Sequence, residues 1–265
     1  MNKRYIGALI LAPFVIFLFL GGLYLKYGIL VLSLMGMYEF YKVVRSKDIH
    51  PINIIGYILC MLYYYTLSDT VNYKFFFYTS IFAVFIMLII PILNLKYNFI
   101  DVAITIFGFL YVAVFFSFIV LVNRKVYGNY LVWIIFISAW LCDTTAYYVG
   151  KYFGKNKLCP KVSPKKTIEG SIGGMLGSAI ACGLFGLFVI RFKVNIAFYN
   201  FIIIGLIGGI VCQFGDLIAS SIKRYVGVKD YSNLIPGHGG ILDRFDSILF
   251  SALAVYYYLT FIVQI

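Results

Sequence analysis

The stretch from Ser220 to Asp246, SSIKRYVGVKDYSNLIPGHGGILDRFD, concentrates side chains that could do chemistry. It holds five basic or imidazole groups (Lys223, Arg224, Lys229, His238, Arg244), three carboxylates (Asp230, Asp243, Asp246) and four glycines. Asp216 stands just upstream, and Asp143 further back in Trp140-Leu141-Cys142-Asp143-Thr144-Thr145. Asp216 and Ser220 are four residues apart and share a face if the helix continues; Asp243 and Asp246, three apart, share one too. Carboxylates at the ends of two neighbouring helices can converge. An oxygen-only set of this kind suits a hard cation such as Mg²⁺, which takes one or two carboxylates and fills its shell with substrate phosphates and water. For Asp243 and Asp246 the other reading is a favourable charge at a helix N-terminus. Asp143, inside an apolar run, must be paired, metal-bound or protonated, and a hydrogen bond between helices would also satisfy it.

Cations and glycines complete the pattern. Pro236-Gly237-His238-Gly239-Gly240 precedes a helix; glycines let backbone N–H groups turn toward an anion, and the helix N-terminus adds partial positive charge. His238 fits a phosphate donor or acid–base group better than a metal ligand. A second basic stretch, Ser163-Pro164-Lys165-Lys166-Thr167-Ile168-Glu169-Gly170-Ser171-Ile172-Gly173-Gly174, repeats small residues and paired lysines before a helix. Gly173, Gly174 and Gly177 equally suit a close-packing face between membrane helices. A divalent cation flanked by fixed positive charges and backbone donors is how phosphoryl and nucleotidyl transfers are catalysed.

The elements that must position these groups are apolar. The chain has 265 residues, 63% hydrophobic and only 12% charged, with a mean hydropathy of +0.95. That excludes an ordinary soluble domain. Nine spans are expected: Ile6–Leu25, Gly28–Val44, Ile52–Leu67, Phe75–Leu93, Ile100–Val122, Tyr130–Val149, Ile172–Ile190, Ile196–Leu217 and Phe245–Val263. The expected fold is therefore all-α, a polytopic membrane protein of about nine transmembrane helices forming one integral-membrane domain. Residues 1–129 supply helices of generic character; 130–265 form the catalytic half, with loops 150–171 and 218–244. The first apolar run is too long for a signal-peptide core and no A-x-A-like cleavage site follows it, so a retained helix is expected. Lys and Arg fall sixteen to six in favour of the side shared by the N-terminus and both basic loops, which places that side in the cytoplasm. Ionisable groups held at this depth mark a site by default.

Among the remaining acidic residues, Glu39, Asp48, Asp69 and Asp101 lie near span ends and read as solvated or headgroup-level charges; Glu39 is deep enough in its span to stand apart. The net charge of +12 suits topology, anionic headgroups or a polyanionic substrate, and no nucleic-acid-binding motif stands outside the spans. The five cysteines lack metal or disulfide spacing.

The order Ser220-x-Ile222-Lys223-Arg224, four residues, Lys229-Asp230-x-Ser232-x-x-Ile235-Pro236-x-His238-Gly239-Gly240-Ile241-x-Asp243-Arg244-Phe245-Asp246 resembles the signature of the phosphatidate cytidylyltransferase (CDP-diacylglycerol synthase) family. Residues 143–150 and Ser163–Gly170 resemble its upstream blocks. The resemblance covers the C-terminal half and implies that CTP and phosphatidic acid give CDP-diacylglycerol and pyrophosphate with Mg²⁺ (and room for a second cation). It also implies a multi-pass helical homodimer in the cell membrane, its site facing the cytoplasm. By resemblance, Asp216, Asp243 and Asp246 carry a metal role, and Lys223, Arg224, Lys165, Lys166 and His238 a nucleotide or phosphate role. Asp143, Ser220, Lys229, Asp230, Gly239, Gly240 and Arg244 are the further candidate substrate-binding residues. A cation transporter would spread its charges through the midplane instead of clustering them at one face. The acidic motif of CDP-alcohol phosphatidyltransferases, D-G-x-x-A-R, is absent. A CTP-dependent polyprenol kinase is the nearer alternative, distinguished by transfer of the γ-phosphate.

Overall fold

The structure, a computed structural model, describes residues 14–67, 73–235, 237 and 239–265. The start of the first expected span, Asp69, Pro236 and His238 lie outside them. Residues 14–20 are helical (α1). There follow α2 (Gly22–Val44), α3 (Asn53–Thr66), α4 (Tyr73–Leu93), α5 (Phe99–Gly108), α6 (Phe115–Asn123), α7 (Gly128–Phe153), α8 (Ile168–Ile190), α9 (Phe198–Val226) and α10 (Leu242–Tyr258). A π-helical turn at Phe109–Val114 joins α5 to α6, and another, Leu259–Val263, extends α10. The protein is all-α and polytopic. Six of its described helical stretches are long and apolar enough to cross a membrane, and Phe77–Leu93 is a shorter apolar one.

Several boundaries differ from the hydropathy reading, each for a local reason. The first expected span ends early, because Gly21 (φ 61°) breaks the chain between α1 and α2. α9 runs nine residues past the expected Leu217. With 29 residues it is about 44 Å long, so its last turns can carry Ser220, Lys223 and Arg224 beyond an apolar layer about 30 Å thick. Gly227 (φ 81°) ends it in the left-handed conformation, its N–H reaching Lys223 and Arg224 carbonyls. Asp101, expected to be a solvated charge, is fully buried. It closes a capping box with Asn98 at the start of α5 and also accepts from the His50 amide.

The site rests on α7, α8, α9 and α10, which pack in succession, with α6 and α2 against α10. Without a hydrophobic force between helices in lipid, close contact relies on small residues and buried hydrogen bonds. Ser178 Oγ donates to the Gly205 carbonyl at 2.6 Å, and Ser138 and Ser251 hydroxyls meet at 2.6 Å. Cys142 Sγ lies 3.2 Å from the Gly209 carbonyl. Gly174 and Gly177 pack α8 on α7: a Cβ on Gly177 would lie 2.3 Å from Thr145 Oγ1, and one on Gly174 2.9 Å from Cys142 Sγ. These glycines therefore serve helix packing, the second of their two expected roles. The five cysteines are all free.

Gly177→Leu should separate α7 from α8. Overpacking of this kind costs about 1–3 kcal/mol, so a lower unfolding temperature of the detergent-solubilised protein is expected, and an unchanged one would show that the helix pair yields easily.

Candidate active site

The first basic loop is shorter than the sequence suggests and structured. Lys157–Cys159 (β1) and Ser163–Thr167 (β2) form an antiparallel hairpin pairing Lys157 with Thr167 and Cys159 with Ser163. Thr167 ends it by capping α8, its hydroxyl accepting from the Gly170 amide at 3.1 Å. Glu169 holds the hairpin's entry, accepting from the backbone of Lys155 and Asn156 and the Asn156 side chain. The hairpin thereby delivers Lys165 and Lys166 onto the ends of α7 and α9.

There they line a cavity of about 340 Å³ with Asp143, Ala146, Tyr147, Gly150, Lys151, Gln213 and Asp216, within the range of small-molecule sites. Lys166 Nζ lies 2.5 Å from Asp216 Oδ2, and Ser220 Oγ donates to Asp216 Oδ1 at 3.2 Å. The expected shared face of Asp216 and Ser220 is thus realised. Asp143 accepts from Ser247 Oγ at 3.0 Å, a bond between α7 and α10. Asp246 is buried and accepts from the Ser247 amide at 2.8 Å. Asp143 and Asp216 both lie near enough for their charges to act on it. A smaller apolar cavity of about 210 Å³ adjoins, sharing Leu158, Ser171 and Gln213 and continuing along Ile172, Met175, Ile210, Phe214 and Leu217.

Asp243 faces elsewhere. Lys223 Nζ donates to its Oδ1 at 2.7 Å, and the amides of Tyr231 and Gly240 donate to its Oδ2 at 2.8 and 3.0 Å. Lys223 and Asp243 are both largely buried as a pair, and Lys223 lies 5.4 Å from the centre of the Tyr231 ring. Burial raises the Tyr231 hydroxyl above its usual pKa, keeping it a donor, toward the Ala219 carbonyl. The chain around the glycines is tied back by its own carboxylates: Gly240 donates to Asp243, and Ile241 and Leu242 donate to Glu39. Gly239, at φ +80°, accepts from the Ile235 amide at 2.8 Å. Arg224, Lys229, Asp230 and Arg244 are exposed around this loop.

The structure thus gathers Asp143, Asp216, Asp246, Lys165, Lys166 and Ser220, and sets Asp243 with Lys223 in a separate brace. Lys151, Tyr147, Gln213 and Ser247 join the cavity or its carboxylates without having been singled out. Lys151 lies in the basic stretch, and Ser247 follows Asp246 directly, but neither shows a motif. Among the described residues, no group of three or more His, Cys, Asp or Glu is already gathered to hold a metal ion; an ammonium group stands on Asp216 instead. The donor chemistry still suits Mg²⁺: Asp143, Asp216 and Asp246 act on one another electrostatically, and with the Ser220 and Ser247 hydroxyls beside them they offer oxygen donors whose repulsion a hard cation would relieve.

Comparison with known proteins identifies the family. The family model described as "Cytidylyltransferase family" matches residues 2–262. A phosphatidate cytidylyltransferase of Bacillus subtilis (strain 168) is 33% identical over 269 residues, covering 98% of this chain and 97% of the relative. Phosphatidate cytidylyltransferases of Staphylococcus saprophyticus and Staphylococcus aureus (strain COL) are 41% and 42% identical over 155 and 157 residues, each alignment spanning 58% of both chains. The chain belongs to the cytidylyltransferase family.

Removing one partner of a buried ion pair leaves an uncompensated charge, a loss of about 3–5 kcal/mol. Lys223→Met should therefore lower the unfolding temperature strongly, whereas Lys223→Met combined with Asp243→Asn should recover part of the loss. A double variant as unstable as the sum of the two singles would show that the pair does not couple.

Proposed function

We propose that the protein transfers CMP from CTP to phosphatidic acid, giving CDP-diacylglycerol and pyrophosphate. The observation that carries this reading is the cavity where the α7 and α9 carboxylates Asp143 and Asp216 meet the hairpin lysines beside an apolar groove, with Asp246 of α10 buried next to them, in a chain of the cytidylyltransferase family. A nucleotide triphosphate needs the lysines; a two-tailed anionic lipid needs an apolar surface next to them. The names of the relatives, phosphatidate cytidylyltransferases, point to the same substrates. The basic hairpin and the loop after α9 lie on the cytoplasmic side by the Lys and Arg distribution, where CTP is found.

In the proposed reaction Lys165, Lys166 and Lys151 bind the triphosphate, and Asp143, Asp216 and Asp246 would hold Mg²⁺. When bound, the cation would offset the negative charge that builds between two anions and on the leaving pyrophosphate. A phosphatidate oxygen, ionised at neutral pH, attacks the α-phosphorus of CTP. The new P–O bond forms as the bond between the α-phosphorus and the bridging oxygen to the β-phosphorus breaks, and pyrophosphate leaves with that electron pair. No general base is required. Lys166, paired with Asp216 and at the cavity wall, is placed to exchange carboxylate for phosphate. Asp243 and Lys223 keep the loop in place, and His238 and the exposed Arg224, Lys229, Asp230 and Arg244 remain proposed substrate contacts. Homodimer assembly is a further proposal that rests on family resemblance.

Purified protein in lipid micelles, given phosphatidic acid, α-³²P-labelled CTP and Mg²⁺, should produce labelled lipid and pyrophosphate, and EDTA should stop it. Lys166→Ala should reduce kcat/KM for CTP by about a hundredfold, in line with the loss of a charge-assisted contact of about 1.5–3 kcal/mol. Unlabelled lipid from folded protein, with transfer of label from γ-³²P-CTP instead, would replace this reading by a lipid kinase.

A further inference from the structure

Among the described residues, Glu39 is the one carboxylate from the N-terminal helices that reaches the loop next to the site. It lies in α2 at 1% exposure. Its Oε1 accepts from Ser232 Oγ at 2.6 Å and the Ile241 amide at 2.9 Å, and its Oε2 accepts from the Leu242 amide at 3.0 Å. These donors are neutral, and a carboxylate so deep is costly unless its hydrogen bonds are met. Every helix begins with N–H groups that its own turns cannot satisfy. α10 has no side-chain cap of its own, so α2 supplies the cap across about 200 residues of sequence, with the added benefit of negative charge at a helix N-terminus.

The fit is close enough to dictate a neighbour. A Cβ on Gly240 would lie 2.6 Å from Glu39 Oε2 and 2.7 Å from Oε1, a separation that real Cβ contacts do not show. Gly240 is therefore glycine because Glu39 fills the space. Asp243 takes the Gly240 and Tyr231 amides from the opposite side. Two buried carboxylates thus hold the loop between α9 and α10 at both ends. Asp246 lies one helical turn beyond Leu242, so the first turn of α10, as Glu39 sets it, decides where the Asp246 carboxylate points.

We propose that Glu39 is a positioning residue for nucleotidyl transfer, fixing Ser232 and the first turn of α10 so that Asp246 stays within reach of Asp143 and Asp216. The proposal deepens the cytidylyltransferase reading and rests on it. It is tested on the full chain in lipid nanodiscs by Glu39→Gln, Glu39→Ala, Gly240→Ala and the double variant Glu39→Ala/Gly240→Ala. In Glu39→Gln the side-chain NH₂ faces the Leu242 N–H, so one bond becomes a repulsion. Expected are a fall in kcat of about tenfold with the CTP KM nearly unchanged, and hydrogen exchange at least about tenfold faster in peptides covering 231–242, with α7, α8 and α9 unaltered. Gly240→Ala should be severely impaired alone, yet Glu39→Ala/Gly240→Ala should be no worse than Glu39→Ala, because the clash has gone. Wild-type exchange and turnover in Glu39→Gln, protection lost throughout the bundle, or additive effects in the double variant would each overturn the positioning role while wild-type synthesis stands. Absence of labelled lipid from wild-type protein would overturn the functional reading and the positioning role together.

Discussion

A charge inside an apolar bundle must be met by an opposite charge, by hydrogen bonds or by a bound ion, because lipid and packed side chains offer nothing in place of water. The arrangement of this protein follows from how its few carboxylates meet that demand. Glu39 and Asp101 are satisfied by backbone amides. Asp243 is satisfied by an ammonium and two amides. Asp143 and Asp216 border an open cavity, where Asp216 also meets the Lys166 ammonium, and Asp246 is buried next to them, within reach of their charges. The first group builds; the second is left with capacity for a ligand.

This division gives the two basic segments different duties. The hairpin brings lysines to the cavity wall, where substrate phosphates would be met. The loop after α9 turns its amides inward, onto Asp243 and Glu39, and so holds α10. Charge that composition alone would assign to substrate is in part consumed by the fold. Lys223 is the clearest case, since its ammonium is buried against Asp243 and Tyr231.

Much of this was legible in the sequence where the relevant spacing is local. Asp216 and Ser220, four apart on a helix, do meet, and the apolar runs mark most helices. Legibility failed where a partner is distant. Asp243 and Asp246, three apart, were expected to converge, but Asp243 sits in the first turn of α10, where its carboxylate turns back to the loop. Glu39 stood out only by its depth, because the amides it caps lie some 200 residues away. The end of α9 was missed because its last turns are polar, and hydropathy marks lipid contact, not helix. The Asp101 burial was encoded locally, in Asn98-x-x-Asp101, a capping pattern that the apolar surroundings obscured. The hairpin Ser163–Thr167 was too short and too charged to show as a strand.

The central claim is that Asp143, Asp216 and Asp246 hold a divalent cation while Asp243 holds the fold. Mn²⁺ is a spectroscopic substitute for Mg²⁺, and its binding to the purified protein can be followed by electron paramagnetic resonance with and without CTP. The account predicts that Asp216→Asn and Asp246→Asn each weaken Mn²⁺ binding by about tenfold or more, the loss of one carboxylate from a hard-cation site. Monodisperse Asp243→Asn should bind Mn²⁺ within about threefold of wild type on the same grounds. If Asp243→Asn abolished Mn²⁺ binding as fully as Asp246→Asn, or if the wild-type protein bound none, the division between building and binding carboxylates would be contradicted.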